Sequence, residues 1–168
     1  VTSIVGIWQY RITFTGEQNH AGTTRMDVRR DAGLALARFC VGIDDRFPAS
    51  CGPRTVWTTG RIVLDPGAPS IIPGAAEMLF QMRDDDPGVI DRLETLLRDM
   101  AAEASAQGRC TVTVERLRTG SPALMNAAFQ QAIEAASAAC AGGRSIRMPS
   151  GAGHAAQVLA TIIPAGML

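Results

Sequence analysis

The chain has 168 residues, 46% hydrophobic and 19% charged, which is the profile of a globular protein of one domain plus a partial second. Sixteen basic residues balance sixteen acidic ones, so nothing favours a polyanion partner, whether nucleic acid or an anionic membrane. No apolar run reaches the ~20 residues that span a bilayer. Cys40, Cys51, Cys110 and Cys140 are widely spaced with no secretory pattern ahead of them, which predicts reduced thiols in a cytoplasmic protein.

The chain opens at Val1 inside a strand pattern, which predicts a truncated or separately encoded segment. From Ile4 to Thr15, apolar Ile4, Trp8, Tyr10, Ile12 and Phe14 alternate with Gln9, Arg11, Thr13 and Thr15, as in a half-buried strand. Thr24 with Asp27 resembles a capping box, and Val28, Ala32, Ala35, Leu36, Phe39 and Ile43 recur at helical spacing. A loop with Pro48, Gly52 and Pro53 leads to a second strand over Thr55 to Leu64. After the Pro66 to Gly74 turn comes a third, in which Ala76, Met78, Phe80 and Met82 alternate with Glu77, Gln81 and Arg83. Asp86 and Pro87 open a second helix with Val89, Ile90, Leu93, Leu97, Met100 and Ala104 on its buried stripe, and Gly108 ends it. Arg109 to Leu117 is a fourth strand. The order βαββαβ predicts an α+β, ferredoxin-like domain with two helices on one face of a four-stranded antiparallel sheet.

Past Gly120 the texture changes. Ser121 and Pro122 are expected to start an alanine-rich helix carrying Met125, Ala128, Phe129, Ala132 and Ile133, closed by Gly142 and Gly143. A domain boundary is placed near residue 120, giving domains 1–120 and 121–168. The end of the chain, Ile162 to Leu168, is apolar and looks made to be buried against something else.

Few residues carry chemistry. His20 lies between a strand and a helix, among small and hydroxyl residues. It is either a turn histidine bonded to nearby backbone or a group that polarises a carbonyl and stabilises an oxyanion. Arg83, near a strand end on the polar face, either grips a carboxylate with two parallel hydrogen bonds or pairs with Asp84, Asp85 or Asp86. The three aspartates point different ways and are read as solvated and capping, not as a metal site. His154 follows the Gly151-Ala152-Gly153 loop, as a helix-terminus histidine or as one metal ligand. Two histidines in all are few for a dinuclear zinc site.

Four motifs carry a family resemblance. His20-Ala21-Gly22-Thr23-Thr24, Met26 and Arg30-Asp31-Ala32 resemble the "HAGTTPM…RRDA" signature of the hydantoinase/carbamoylase amidohydrolases. The stretch from Pro66 to Gly74 resembles their "PNAxNVIPG" turn, Gln81-Met82-Arg83-Asp84 their "QFRD" strand, and Ser150 to His154 their "SGAGHDA" loop. The resemblance implies a ferredoxin-like lid that makes a homodimer, joined to part of a catalytic domain that holds two zinc or manganese ions. It implies that His20 steadies the tetrahedral intermediate in the partner subunit's site and that Arg83 binds the substrate carboxylate. Ser70 and the Gly151, Ala152 and Gly153 backbone would also bind substrate, an N-carbamoyl, ureido or related amide, and His154 would be a metal ligand. Arg25, Gly67, Ser70 and Ala155 depart from the pattern, where the family has Pro, Asn, Asn and Asp. With the other ligands and the catalytic glutamate expected upstream of the lid, this chain alone is expected to be inactive and to hold no metal tightly. A missing N-terminal catalytic half, in the same frame or on a separate chain, would supply them. The alternative is a stand-alone ferredoxin-like interaction module without catalysis.

Overall fold

The computed structural model describes residues 1–168. In chain order its strands and main helices are β1 (Ser3–Ile4), β2 (Gly6–Thr15), β3 (Asn19–His20), α1 (Ala32–Arg46), β4 (Val56–Asp65), β5 (Ile71–Ile72), β6 (Ala75–Asp84), α2 (Pro87–Gln107), β7 (Thr111–Gly120), β8 (Ala123–Leu124), α3 (Ala127–Ala141) and α4 (Ala155–Leu159). The four long strands form one antiparallel sheet in the order β4-β6-β2-β7. With α1 and α2 packed on one face, this is the ferredoxin-like βαββαβ architecture that the element order predicts.

Period-two patterning puts Tyr10, Ile12 and Phe14 of β2 and Met78, Phe80 and Met82 of β6 under the helices, all essentially solvent-free. The helices answer with Leu36, Phe39 and Ile43 from α1 and Ile90, Leu93, Leu97 and Met100 from α2. Phe80 meets Phe47 edge to face at 5.6–5.8 Å spacing typical of such pairs, Phe47 lying 5.8 Å from Phe80 and 5.6 Å from Trp57. The alternation skips position 6 because a Cβ on Gly6 would lie 3.0 Å from the Gly120 carbonyl oxygen and 3.1 Å from Ile90 Cδ1. One carboxylate joins this core. Glu94 of α2, 6% exposed, accepts from Arg98 at 2.7 Å and from Arg116 of β7, and the Arg116 guanidinium lies 4.4 Å from the centre of the Trp8 ring. Burial, then the Glu94 carboxylate, push the Tyr10 hydroxyl well above the ordinary tyrosine range.

Three element boundaries differ from the sequence expectation. The first strand is two: Val5 separates β1 from β2, and β1 leaves the sheet to pair with β8, while Ile4 also bridges Ser150. Residues 1–5 therefore pack with the chain beyond Ser121, around Ile4, Met125 and Ala156. α1 begins at Ala32 rather than near Thr24, because Asp31, not Thr24, accepts the Leu34 amide at 2.9 Å; Asp27 is paired with Arg25, and Val28 is exposed. α3 begins at Ala127, since Ala123–Leu124 are taken by strand pairing and Asn126 caps the Ala128 and Phe129 amides; Met125 is a buried residue outside the helix. Its end, at left-handed Gly142, is as the sequence predicts.

No residue of α3 is buried, and Phe129, Ile133, Leu159, Ile163, Met167 and Leu168 line an apolar cavity of about 530 Å³ near the chain's end. No helix is long and apolar enough to cross a membrane. Truncating the aromatic at the centre of the main core, Phe80→Ala, is expected to cost about 3–5 kcal/mol of stability. Urea denaturation with an unchanged m-value checks this, and an unshifted midpoint would contradict the packing described.

Candidate functional site

The sequence-predicted residues gather in two clusters. In the first, β3 pairs with β5, His20 opposite Ile71, and the Ala21 amide donates to the Ser70 carbonyl at 2.9 Å, so His20 and Ser70 come together. The His20 ring is held by its own turn: Nδ1 accepts the Gly22 amide at 3.0 Å and the Thr23 amide at 3.2 Å. A Cβ on Gly22 would sit 3.2 Å from His20 Cε1, so a side chain there would press on the ring. An Nδ1 that accepts has no proton, which places the proton of the neutral ring on Nε2. Nε2 has no partner and His20 is exposed. The turn histidine and the outward donor are therefore one arrangement. Two carbonyls of this turn are held by Arg29, whose Nε donates to Thr24 O at 2.9 Å and whose Nη2 donates to Ala21 O.

The second cluster lies at the other end of the sheet. Arg83 projects from the face opposite the helices, as its place in the alternation predicts, and its Nη1 donates to the Gly151 carbonyl at 2.8 Å. The Gln81 amide, two residues back on the same face, stands 3.0 Å from both Nε and Nη2 of Arg83. Ser150 anchors the loop to β1 through Ser150 N to Ser3 O at 2.8 Å and Val5 N to Ser150 O at 3.0 Å. Gly151, Ala152, Gly153 and His154 are exposed beside Arg83.

The aspartates do not pair with Arg83. Asp84 is buried, not solvated, and accepts from the Thr55 hydroxyl and from the Asp86 amide at 2.8 Å. Asp85 accepts from the Ser3 hydroxyl at 2.7 Å, and Asp86 caps α2 through the Gly88 amide at 2.8 Å.

Against known proteins, residues 2–109 match the peptidase dimerisation domain. The whole chain aligns at 32% identity with 40% of the N-carbamoyl-L-amino acid amidohydrolase of Geobacillus stearothermophilus, and at 30% with 40% of the allantoate amidohydrolase of Escherichia coli. A solved amidase of the hydantoinase/carbamoylase family from Burkholderia phymatum superposes with a TM-score of 0.92 at 44% identity, over 98% of this chain and 41% of its own. The chain belongs to the hydantoinase/carbamoylase family. The dimerisation-domain match takes in β2, β4 and β6 of the long-stranded sheet with α1 and α2, and the family is hydrolytic. The chain spans about 40% of the length of the curated relatives it matches.

Within this hydantoinase/carbamoylase chain no three His, Cys, Asp or Glu side chains stand together to hold a metal ion. His154 caps α4, its Nδ1 accepting the Ala156 amide at 3.2 Å. Ligation through Nε2 needs the proton on Nδ1, so the cap bond and Nε2 ligation exclude each other. The donors present do not make a metal site. Burial pushes the Cys40, Cys51 and Cys110 thiols above their ordinary range, which disfavours thiolate ligation. A cavity of about 710 Å³ between α1 and α2 is lined by Arg29, Leu34, Arg38, Met100 and Arg109 and includes neither histidine.

Sequence reasoning passed over Arg29 and Gln81 as separate actors. Arg29 is the first arginine of the string that matches "RRDA", which marks the position but not its partner, and only the fold aims it at the His20 turn. Titration calorimetry of the chain with zinc is expected to show no tight stoichiometric binding; a saturating isotherm would overturn the account of His154.

Proposed function

We propose that this chain supplies the lid, the dimer contact and part of the substrate site of a metal-dependent hydrolase acting on linear C–N bonds of N-carbamoyl, ureido or related amide substrates. The observation that carries the reading is the His20 ring, locked by backbone amides with Nε2–H directed outward. A neutral imidazole so held donates to a developing oxyanion without first reorganising. Arg83, its Nη1 anchored on Gly151, binds the substrate carboxylate with its remaining donors, and the exposed backbone of Gly151, Ala152 and Gly153 lines the substrate beside it. Ser70, ahead of β5 and bonded through its carbonyl to the His20 turn, stands where the family has a longer amide and leaves more room there.

Two features support assembly in trans. Along β6, the eight steps from Ala75 to Arg83 cover about 27 Å, so one small substrate does not bridge both clusters of one subunit. The outer strand β4 exposes Val56, Ile62, Val63 and Leu64 and carries only Arg61 and Asp65 as charges. The opposite edge, β7, carries Glu115, Arg116 and Arg118. β4 offers the longer exposed apolar stretch, Ile62 to Leu64, between its two charges, and such an edge pairs with a second copy more readily than one whose charges are clustered. Next to β4, α1 presents Gly33, Ala37 and Val41, small residues that admit a close neighbour.

We assign residues 1–120 to the lid and 121–168 to the catalytic side, against which the lid's first five residues pack through β1. The remainder of the catalytic domain covers α3 and the apolar chain end, and brings the metal ions, the water they activate and a glutamate base. His154 joins the metal set only by turning its ring off the Ala156 amide. The alternative, an interaction module without catalysis, shares the β4 edge and differs in the behaviour of the site variants.

In the longer polypeptide, ammonia release from N-carbamoyl amino acids is expected to fall by about 10²–10³ in both kcat and kcat/KM for His20→Ala. Arg83→Ala is expected mainly to raise KM. Unchanged kinetics for both variants would contradict the reading. Light scattering is expected to find a dimer that Ile62→Glu converts to monomer; a monomeric wild type would remove the β4 interface.

A further inference from the structure

We infer that Arg29 is a positioning residue for His20, fixing the turn whose amides set the tautomer and direction of the imidazole; the catalytic consequence rests on the proposed role of His20. Arg29 follows the short 3-10 turn Met26–Val28, in extended backbone with φ −64° and ψ 141°. From there its side chain doubles back under the loop. Nε donates to Thr24 O at 2.9 Å and Nη2 to Ala21 O, so one planar fork spans the two carbonyls on either side of Gly22 and Thr23. Those two residues are the ones whose amides reach Nδ1. Besides the guanidinium, the turn is closed by a single backbone bond, Thr24 N to His20 O at 3.2 Å. Charge-assisted bonds to Ala21 O and Thr24 O are the stronger restraint.

The neighbouring arginines do not share the task. Arg25 pairs with Asp27 at 2.8 Å, and Arg30 donates to Arg109 O at 2.9 Å with Glu17 3.9 Å away. They serve as internal controls. A lysine at position 29 would offer one compact cation where two separated carbonyls need a fork, so Arg29→Lys is expected to keep the fold and lose part of the restraint.

The test has two arms. In the 168-residue chain, long-range proton–nitrogen NMR at pH about 9, above the ordinary histidine range, is expected to show His20 almost wholly as the Nε2–H tautomer. Arg29→Ala should give a mixture of tautomers and faster exchange of the Gly22 and Thr23 amides, Arg29→Lys a smaller change, and Arg30→Ala none. Wild-type ring shifts and amide exchange in a folded Arg29→Ala or, if that variant does not fold, in Arg29→Lys would overturn the inference.

In the longer polypeptide, Arg29→Ala is expected to lower kcat by about 10- to 100-fold with little change in KM. In a His20→Ala background it should cost nothing further, because the group it positions is gone. An equal loss in both backgrounds would overturn the positioning role. If His20→Ala itself leaves hydrolysis unchanged, the catalytic reading of His20 fails, while the NMR arm still decides whether Arg29 sets the ring.

Discussion

The length of two paired strands governs how this chain can act. β2 and β6 run antiparallel in unbroken register over ten residues, from Gly6 opposite Asp84 to Thr15 opposite Ala75. The His20 turn and Ser70 hang from one end of that ladder, and Arg83 with the Gly151 loop from the other. Side-chain rotation does not close a gap of about 27 Å. Moving either cluster toward the other would require breaking the ladder and the core of aromatic and methionine side chains beneath it. On the proposed reading the two clusters serve one substrate when two copies face each other, and the apolar β4 edge is the surface proposed to bring them together.

One type of hydrogen bond has opposite consequences at the two histidines. Each ring accepts backbone N–H at Nδ1, His20 from Gly22 and Thr23, His154 from Ala156. In both, the neutral ring then carries its proton on Nε2. For His20 that is the tautomer that donates to an oxyanion. For His154 it is the tautomer that does not ligate through Nε2. The His20 turn is therefore set for its proposed role within this chain, whereas a metal role for His154 depends on rearrangement.

Much of the fold was legible in the sequence because the core is built on clean periodicity. The even positions of β2 and β6 from Trp8 and Ala76 onward, and the helical stripes of α1 and α2 from Ala32 and Val89 onward, lie where their spacing put them; Val28, read as part of the first stripe, is exposed ahead of α1. What the sequence did not display are the places where long-range contacts override a local signal. Thr24 and Asp27 spell a cap, yet Asp31 takes that role, with the Ala32 amide donating to Pro73 O at 3.1 Å to seat the helix. Ile4 continues the alternation of β2 but belongs to a separate ladder with Ala123. The motifs located His20, Ser70, Arg83 and the Gly151 loop; their grouping into two clusters required the strand register. The contacts of Arg29 and Glu94 were unreadable, since an arginine beside others, even inside the RRDA string, and a glutamate on a helix look solvated until the fold surrounds them.

The sharing of a site between subunits is tested most directly by mixing two impaired variants of the longer polypeptide, His20→Ala and Arg83→Ala, by co-expression and assaying at substrate concentrations well below the raised KM of Arg83→Ala, where each alone is nearly inactive. In a mixed dimer one of the two sites would draw Arg83 from the first subunit and His20 from the second, both intact. With random pairing, about a quarter of the wild-type activity should return. A mixture no more active than the separate variants would contradict assembly across the dimer and place His20 and Arg83 in unrelated roles.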